Sequence, residues 1–262
     1  MKSAKKLWLY PLVILGLALI ALIACEKKDS NNDSEKVFVA SGHPSWAPIM
    51  YQENNLIVGA APELVTKIIN DLGLKISVNY AGAWDVVQAK AKSGEVDLIV
   101  AAYKTAERET YMDYSVDYTK DPVSIFVSKG KTFPFAAWDE LKGKKGVVTI
   151  GDSYGQEFDN YIKENLTVTA VATPDEAFAM LANNQADYFV YALYSGENFI
   201  ASHSLNDQIV ILPNYVSSEN FYLTISKKSA LIKYLPQINQ LLEKYKADGT
   251  IDALIQKYKT KL

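Results

Sequence analysis

The chain of 262 residues contains a single arginine, Arg108, although Lys and Arg together number 27. Lysine suffices where a surface needs only positive charge, whereas the planar guanidinium offers a rigid fork of donors that fits a carboxylate or a phosphate. We therefore expect Arg108 to hold an anionic group of a small ligand. The alternative is a solvated surface arginine, which is the common environment of this residue type.

A second candidate for anion binding is the glycine-flanked turn at 151–155, which separates a predicted strand from a predicted helix. Backbone N–H groups at such a helix start point toward a bound anion. The turn contains Asp152, Ser153 and Tyr154. Asp152 and Ser153 also suit a plain helix N-cap, and the two roles are compatible.

The elements that must position these residues alternate along the chain. Apolar runs predict strands at 37–40, 74–78, 97–101, 123–127, 146–150, 187–191, 209–212 and 221–225. Helical periodicity predicts helices at 60–72, 84–92, 156–164, 174–181, 231–246 (with a boundary or kink at Pro236) and 251–259. This alternation predicts mostly parallel sheets covered by helices. We expect 113–122 and 213–220 to connect two such α/β units.

The N-terminus has the layout of a secretory signal. Lys2, Lys5 and Lys6 precede an apolar run at 7–24, and the chain's only cysteine, Cys25, follows it. A basic start, an apolar middle and a small residue before the cleavage site are typical of export signals. The alternative is an uncleaved anchor helix, because the apolar run approaches the length that spans a membrane.

The segment that ends at Cys25 resembles the lipobox of bacterial lipoproteins. The resemblance implies that Cys25 is diacylated and becomes the mature N-terminus, after which the polar stretch 25–36 serves as a flexible tether. Loss of 1–24 would remove three lysines and no acid, so the net charge of −3 would become −6. An acidic chain without a basic run in its folded part argues against nucleic-acid binding.

From residue 36 to the C-terminus, the chain resembles extracytoplasmic solute-binding proteins of the polar amino-acid uptake class, bacterial solute-binding protein family 3. The residues that carry the resemblance are Gly59-x-x-x-Glu63-Leu64, Gly94-x-x-Asp97, Thr105-x-x-Arg108 followed by Tyr114-Ser115-Val116-Asp117-Tyr118, and Asp248-Gly249-Thr250-Ile251 leading to Lys257-Tyr258. Each motif is weak alone, but their order behind a lipobox is specific for the fold.

This resemblance implies an α/β, two-lobed type II periplasmic binding-protein fold, in which each lobe is a mostly parallel sheet flanked by helices. The first lobe would comprise 36–119 and 218–262, and the second lobe would comprise 124–214. Hinges are expected near 119–124 and 214–218, so that the ligand lies in a cleft that closes.

The resemblance also implies roles for single residues. In the family, the arginine of the T-x-x-R motif grips the ligand's carboxylate, which makes Arg108 the carboxylate clamp. The turn with Asp152, Ser153 and Tyr154 would contribute donors from the second lobe. Trp46 and Trp84 would form aromatic walls that stack on the ligand; ordinary core packing is the alternative for both.

Two positions depart from the family pattern. Tyr103 stands where the family often has a small hydroxyl residue, which would reshape the site. Ala192, with Tyr191 beside it, stands where many amino-acid binders carry an aspartate for the ligand's ammonium. Asp152 or Glu197 could substitute, because an ammonium in a dry cleft needs a charge partner. Otherwise the ligand is a carboxylate that lacks an α-amine.

These observations favour a monomeric, lipid-anchored binding protein without a cofactor, which captures a small carboxylate ligand for an ABC permease. A lipoprotein that senses a ligand for a membrane signalling receptor is the second hypothesis. A third is an enzyme on the same fold, resembling cyclohexadienyl dehydratase, which would need a general acid in the cleft. Only His43, after the first strand, has a suitable position, and no nucleophile–base pair or metal-spaced cluster is visible.

Overall fold

The computed structural model describes residue 33 and residues 35–259. The predicted signal at 1–24, Cys25 and most of the predicted tether lie outside the described residues. Within the described part of the chain, no helix is both long and apolar enough to cross a membrane.

Eleven strands and eight α-helices make up the described chain. The strands are β1 (Val37–Ser41), β2 (Ser45–Trp46), β3 (Met50–Glu53), β4 (Leu56–Val58), β5 (Lys75–Val78), β6 (Leu98–Ala102), β7 (Met112–Ser128), β8 (Lys145–Thr149), β9 (Thr167–Val171), β10 (Tyr188–Ala192) and β11 (Ile209–Ser226). The helices are α1 (Ala60–Asp71), α2 (Trp84–Ser93), α3 (Ala106–Glu109), α4 (Gln156–Asn165), α5 (Pro174–Ala182), α6 (Leu193–Ser202), α7 (Leu235–Ala247) and α8 (Thr250–Lys259).

Eight strands form a mixed sheet in the order β5-β1-β6-β11-β7-β10-β8-β9. On one side, β1 lies parallel to β5 and β6. On the other side, β8 lies parallel to β9 and β10. We call β5, β1 and β6 with α1, α2, α3, α7 and α8 the first half, and β10, β8 and β9 with α4, α5 and α6 the second half. The fold is thus the expected α/β arrangement of parallel strands covered by helices.

The long antiparallel strands β7 and β11 join the two halves. The C-terminal part of β11 pairs with β6, and the C-terminal part of β7 pairs with β10. The predicted hinge segments 119–124 and 214–218 both lie in this ladder, where Val123 pairs with Ser217. Movement at these segments, and the division into lobes at these boundaries, remain predictions.

The two expected connections do join the halves, but they do so as strands. Residues 113–122 belong to β7, and residues 213–220 belong to β11. Pro122, Pro213 and many polar side chains interrupt the alternation that indicates a strand, but antiparallel pairing between the segments keeps both extended. The small sheet of β2, β3 and β4, strand β9 and helices α3 and α6 were also not predicted from sequence.

The helices of the first half follow their apolar patterns. In α1, Leu64, Val65, Ile68 and Ile69 are buried, as the periodicity predicts. The last long helical segment begins as α7 at Leu235, with proline in its first turn, so the predicted boundary near Pro236 is correct. A short 3-10 turn replaces the predicted first turn of that helix.

Candidate functional site

The candidate site lies where parallel strands of both halves end. His43 follows β1, Tyr103 follows β6, Gly151 and Asp152 follow β8, and Ala192 ends β10. The carboxyl ends of parallel strands in open α/β sheets are the usual place for a ligand, because the loops there meet in one crevice. The topology therefore brings together residues that are far apart in sequence.

A capped turn fixes the backbone of Arg108. Thr105 is the N-cap of α3, and its hydroxyl accepts a hydrogen bond from the Arg108 N–H at 3.2 Å. A threonine three residues before a helical N–H is the usual capping geometry. The T-x-x-R spacing thus has a local structural cause, because the threonine caps the four-residue helix that carries the arginine.

The guanidinium of Arg108 is buried, and three of its five N–H groups bind protein oxygens. Nε donates to Gln88 Oε1 at 2.9 Å, Nη1 donates to the Tyr103 carbonyl at 3.0 Å, and Nη2 donates to the Gly151 carbonyl at 3.1 Å. It also lies 5.3 Å from the centre of the Trp84 ring. One N–H on each terminal nitrogen has no hydrogen-bond partner within 35–259, so Nη1 and Nη2 each keep one N–H that can donate to a ligand.

Gly151 makes the contact with Arg108 possible. Its φ of +80° is a conformation that side-chain-bearing residues rarely adopt. Its carbonyl also accepts from Gln88 Nε2 at 3.0 Å. A Cβ at this position would lie 3.2 Å from that amide nitrogen, so the glycine allows the second half to approach α2 closely.

His43 and Asp152 form a second contact between the halves. The two side chains are 2% and 0% exposed, and His43 Nε2 lies 3.0 Å from Asp152 Oδ1. The Ser45 N–H donates to His43 Nδ1 at 3.0 Å, so the proton of a neutral ring is on Nε2, which donates to the carboxylate. A third contact is the hydrogen bond from the Tyr191 hydroxyl to the Ser45 carbonyl, at 2.5 Å. We call these three contacts, His43–Asp152, Arg108–Gly151 and Tyr191–Ser45, the seam.

Aromatic rings surround the first-half side of the seam. The His43 ring lies 4.9 Å from Trp46 and 5.3 Å from Trp84. Trp46 in turn lies 5.1 Å from Tyr103, which packs on Phe221 at 4.8 Å. All of these side chains are buried. The structure therefore brings both predicted tryptophans and Tyr103 together with Arg108.

Ser153 and Tyr154 are placed differently from Asp152. The Ser153 hydroxyl and the Tyr154 N–H both donate to the Asp159 carboxylate, while the Tyr154 hydroxyl accepts from the Thr149 N–H at 2.9 Å. The suggested N-cap role of Asp152 and Ser153 is wrong, because α4 begins later and its N-cap is Gly155. Ser153 and Tyr154 therefore support the turn from within the second half.

Several buried polar atoms near the seam have no hydrogen-bond partner among the described residues. They are Trp46 Nε1, Trp84 Nε1, the Tyr103 hydroxyl and Asp152 Oδ2. Buried polar groups in native proteins are nearly always hydrogen-bonded, so such a concentration needs an explanation. A polar ligand that enters between the halves would supply the partners.

An open cleft of about 710 Å³ adjoins this buried cluster. Arg108 and Asp152 line it together with Gln88, Lys92 and Lys163. Trp46, Tyr103 and Tyr191 do not line it, so the open cleft and the buried cluster meet at Arg108 and Asp152. This arrangement is chemically suited to an anionic group at Arg108 with further polar and aromatic contacts behind it.

Burial and nearby carboxylates shape the ionisation of the cluster. Desolvation, with Asp121, Glu219 and Asp152 adding to it, raises the pKa of Tyr103 well above its ordinary value. Desolvation raises the pKa of Asp121 to about 8, although the backbone N–H of Tyr194 acts in the opposite direction. Tyr103 therefore remains a neutral hydroxyl group, and Asp121 is a buried carboxyl group close to the Tyr194 N–H at the start of α6.

The sequence alone did not indicate that Gln88 contacts Arg108, and it gave little sign that His43 contacts Asp152. Gln88 lies one helical turn after Trp84, so the shared helix face was a usable signal. His43 follows the first parallel strand, which places it at the edge of the sheet where a ligand is expected, but its bond to Asp152 joins residues 109 positions apart. The burial of Asp121 follows from tertiary structure, and nothing in the local sequence indicates it.

No group of three or more His, Cys, Asp or Glu side chains that could hold a metal ion occurs within the described part of the chain. Arg108, the aromatic rings and the seam lie where the two halves of the sheet meet, which makes this region the candidate binding site.

The chain belongs to the bacterial extracellular solute-binding proteins, family 3, whose family model matches residues 39–261. This match confirms the expected family, and the structural neighbours confirm the type II periplasmic binding-protein fold.

Individual relatives agree with this assignment. The L-cystine-binding protein TcyJ of Escherichia coli (strain K12) is 22% identical over 258 residues, which cover 94% of each chain. The arginine-bound substrate-binding protein AbpA of an amino acid ABC transporter from Streptococcus pneumoniae has a TM-score of 0.73 at 22% identity, covering 87% of this chain and 96% of the other. A histidine kinase sensor domain with similarity to periplasmic binding proteins has a TM-score of 0.74 at 21% identity, covering 86% and 97%.

Proposed function

We propose that this protein is a lipid-anchored substrate-binding protein that captures a small carboxylate-bearing solute, an amino acid or a close relative, for an ABC importer. The observation that carries the proposal is the position of Arg108. It is the chain's only arginine, it is buried at the seam, and one N–H on each terminal nitrogen has no partner among the described residues. A carboxylate that accepts hydrogen bonds from both terminal nitrogens would make a bidentate, charge-assisted contact.

The ligand would act on an equilibrium between open and closed arrangements. Arg108 and Trp84 belong to the first half, whereas Gly151 and Asp152 belong to the second half. A ligand that contacts both halves binds the closed arrangement more tightly and therefore shifts the population toward it. The hinge segments 119–124 and 214–218, in the two strands that join the halves, are where we expect the backbone to move.

We propose that Cys25 carries the lipid and that the mature chain is tethered outside the cytoplasm. A basic start, an apolar run and the only cysteine of the chain at its end support this assignment. We further propose that the protein is monomeric, binds no nucleic acid and catalyses no reaction. The relatives reported above are solute-binding proteins or a sensor domain, which supports a binding role.

A sensing role is the second candidate, and the similarity to a histidine kinase sensor domain favours it. In that case the same ligand-driven closure would present a surface to a membrane signalling receptor rather than to a permease. The binding chemistry at Arg108 is the same for both roles.

The test is calorimetric titration of the purified full-length protein, in mild detergent, with the proteinogenic amino acids, cystine and small organic acids. We expect at least one amino acid to bind and Arg108→Lys to weaken that binding, because an ammonium cannot reproduce the bidentate fork. If Arg108→Lys bound the same ligand as tightly as the wild type, the clamp role would be refuted.

A further inference from the structure

Five residues beside the seam contact one another in a closed circle. The His43 ring lies 4.9 Å from the Trp46 ring and 5.3 Å from the Trp84 ring. Trp46 lies 5.1 Å from Tyr103, and the Tyr103 carbonyl accepts a hydrogen bond from Arg108. The Arg108 guanidinium lies 5.3 Å from the Trp84 ring, which completes the circle. All of these side chains are at most 5% exposed, so the circle is buried next to the proposed carboxylate clamp.

The aromatic side chains of this circle contain polar groups that can donate hydrogen bonds and that lack a partner. They are Trp46 Nε1, Trp84 Nε1 and the Tyr103 hydroxyl, none of which has a partner among the described residues. An indole N–H can only donate. Burial raises the pKa of Tyr103 well above its ordinary value, so the hydroxyl keeps the proton that it can donate. The adjoining Asp152 contributes one unpartnered acceptor, Oδ2, so donors are in excess.

The third tryptophan among the described residues behaves differently. Trp138 packs on Phe158 at 5.0 Å, and its indole N–H donates to the Val216 carbonyl at 3.0 Å. Trp138 is only half-buried, whereas Trp46 and Trp84 are fully buried and have no such partner. A buried donor without a partner costs free energy. The two tryptophans of the circle therefore carry a cost that Trp138, which only supports the fold, does not.

The order of residues around the circle assigns its donors to different parts of a ligand. Trp84 lies against the Arg108 guanidinium, whereas Trp46 lies across the circle from it. A carboxylate that accepts from both terminal nitrogens of Arg108 still has lone pairs for the neighbouring Trp84 N–H. The Trp46 N–H and the Tyr103 hydroxyl then remain on the far side. One carbonyl oxygen has two lone pairs and can accept from both.

The acceptor on the far side should be neutral. Arg108 is the only residue of the circle with a permanent positive charge, and the ligand's carboxylate would already use it. Burying a second carboxylate without its own cation costs far more than burying a hydrogen-bonded carbonyl. An amide, a ureide or a ketone meets this requirement.

We propose that Trp46 and Tyr103 determine specificity by donating hydrogen bonds to a neutral carbonyl oxygen on the side chain of the ligand. The proposal rests on the proposed function, since it concerns the same ligand that Arg108 would hold by its carboxylate. It narrows the substrate class to amino acids whose side chain ends in an amide or a similar neutral carbonyl group.

The test compares matched ligands by calorimetry. Asparagine is titrated beside leucine, which has the same shape without the amide, and glutamine and citrulline are titrated beside norleucine and glutamate. We expect the wild type to bind at least one of the three carbonyl-bearing amino acids about 10-fold or more tightly than its apolar or charged analogue, as two hydrogen bonds require. In Trp46→Phe and in Tyr103→Phe that preference should fall to about 3-fold or less. Trp138→Phe is the matched control and should keep it.

Urea denaturation of the ligand-free protein separates recognition from a structural role. Tyr103→Phe removes a buried hydroxyl that has no partner in the described chain, so the variant should be at least as stable as the wild type. A lower stability, together with equal weakening of every ligand, would show that the hydroxyl supports the fold and would overturn the proposal.

The remaining outcomes are separable. If the wild type binds none of the amino acids or small organic acids, the proposed function fails. If its tightest ligand has no neutral carbonyl on its side chain, or if both Trp46→Phe and Tyr103→Phe keep the full preference, the specificity role is overturned and the proposed function stands.

Discussion

Two buried aromatic clusters of this protein differ in what their polar atoms do. The phenylalanine cluster packs Phe126 of β7 against Phe178 and Phe189 of the second half, with ring centres 5.1–6.4 Å apart. The second cluster, which we call the seam cluster, consists of His43, Trp46, Trp84, Tyr103 and Phe221. Its ring centres lie 4.8–5.5 Å apart. The phenylalanine rings are hydrocarbon and adjoin the seam at Tyr191, which stacks on Phe189 at 4.9 Å. The second cluster contains hydroxyl, imidazole and indole groups, three of which have no hydrogen-bond partner among the described residues.

The two clusters contribute differently to stability and to recognition. Phenylalanine rings that bury only apolar surface stabilise the fold at no polar cost. The seam cluster buries a comparable set of rings but also buries unpaired polar atoms, which reduces stability. We infer that the second half's core holds the fold together, while the seam sacrifices some stability for recognition, as functional sites commonly do.

The largest expected effect separates the clusters by stability alone. Phe178→Ala should lower the free energy of unfolding by about 3–5 kcal/mol, because it leaves a cavity among Phe126, Phe189 and Phe199. Urea denaturation measures the loss. The folded fraction of the variant should bind the ligand with nearly unchanged affinity, and a large affinity change would mean that the two clusters are not separable.

Arg108→Lys should have the opposite profile. We expect the binding free energy to weaken by about 2 kcal/mol or more, because one prong of a buried charge-assisted contact is lost. Calorimetry with the cognate amino acid measures this change. The matched control is Lys163→Met, which removes a cation from the open cleft but not from the seam. Equal losses in both variants would indicate that general positive charge, and not the arginine fork, attracts the ligand.

Asp121→Asn should change how the stability of the protein depends on pH. Burial raises the pKa of this carboxyl group from 3.8 to about 8, so between these values the folded state holds a proton that the unfolded state has lost. The stability of the ligand-free wild type should therefore fall with rising pH in this window, by at most about 1.4 kcal/mol per pH unit from this group. Denaturation at pH 5 and pH 8 should show that the variant gains stability relative to the wild type as pH rises. A constant difference would mean that the carboxyl group titrates normally.

Tyr191→Phe should have the smallest effect. It removes the single hydrogen bond from the Tyr191 hydroxyl to the Ser45 carbonyl across the seam. We expect ligand affinity to fall by a factor of about 2–10, corresponding to the net value of one hydrogen bond. Tyr188→Phe, in the same strand and equally buried, is the control and should leave affinity unchanged. Unaltered affinity in both variants would show that the closed arrangement does not depend on this contact.

Local patterns predicted much of the fold but not its centre. The apolar face of α1 and the short buried strand β6 indicate their structures directly, because burial on one side repeats with the period of the element. Strands β7 and β11 do not, since their polar and proline-containing middle parts are extended only through pairing with each other. The resemblance to a family supplied the topology that periodicity could not.

The same limit applies to the site. Arg108 stands out because it is unique in the chain and lies in a capped T-x-x-R turn, so residue type and spacing were informative. Asp121 and His43 become informative only when folding buries them beside Tyr103 and Asp152. Burial and pairing arise from tertiary structure, and a single sequence does not display them.

The most direct test of the role of Arg108 is a crystal structure of the protein with the amino acid that calorimetry shows to bind most tightly. We predict that the ligand's carboxylate oxygens lie about 3 Å from both terminal nitrogens of Arg108, the distance of a charge-assisted hydrogen bond. The rest of the ligand should lie against Trp46, Trp84 and Tyr103. A ligand that lies only in the open cleft near Lys92 and Lys163, without contact to Arg108, would contradict this role.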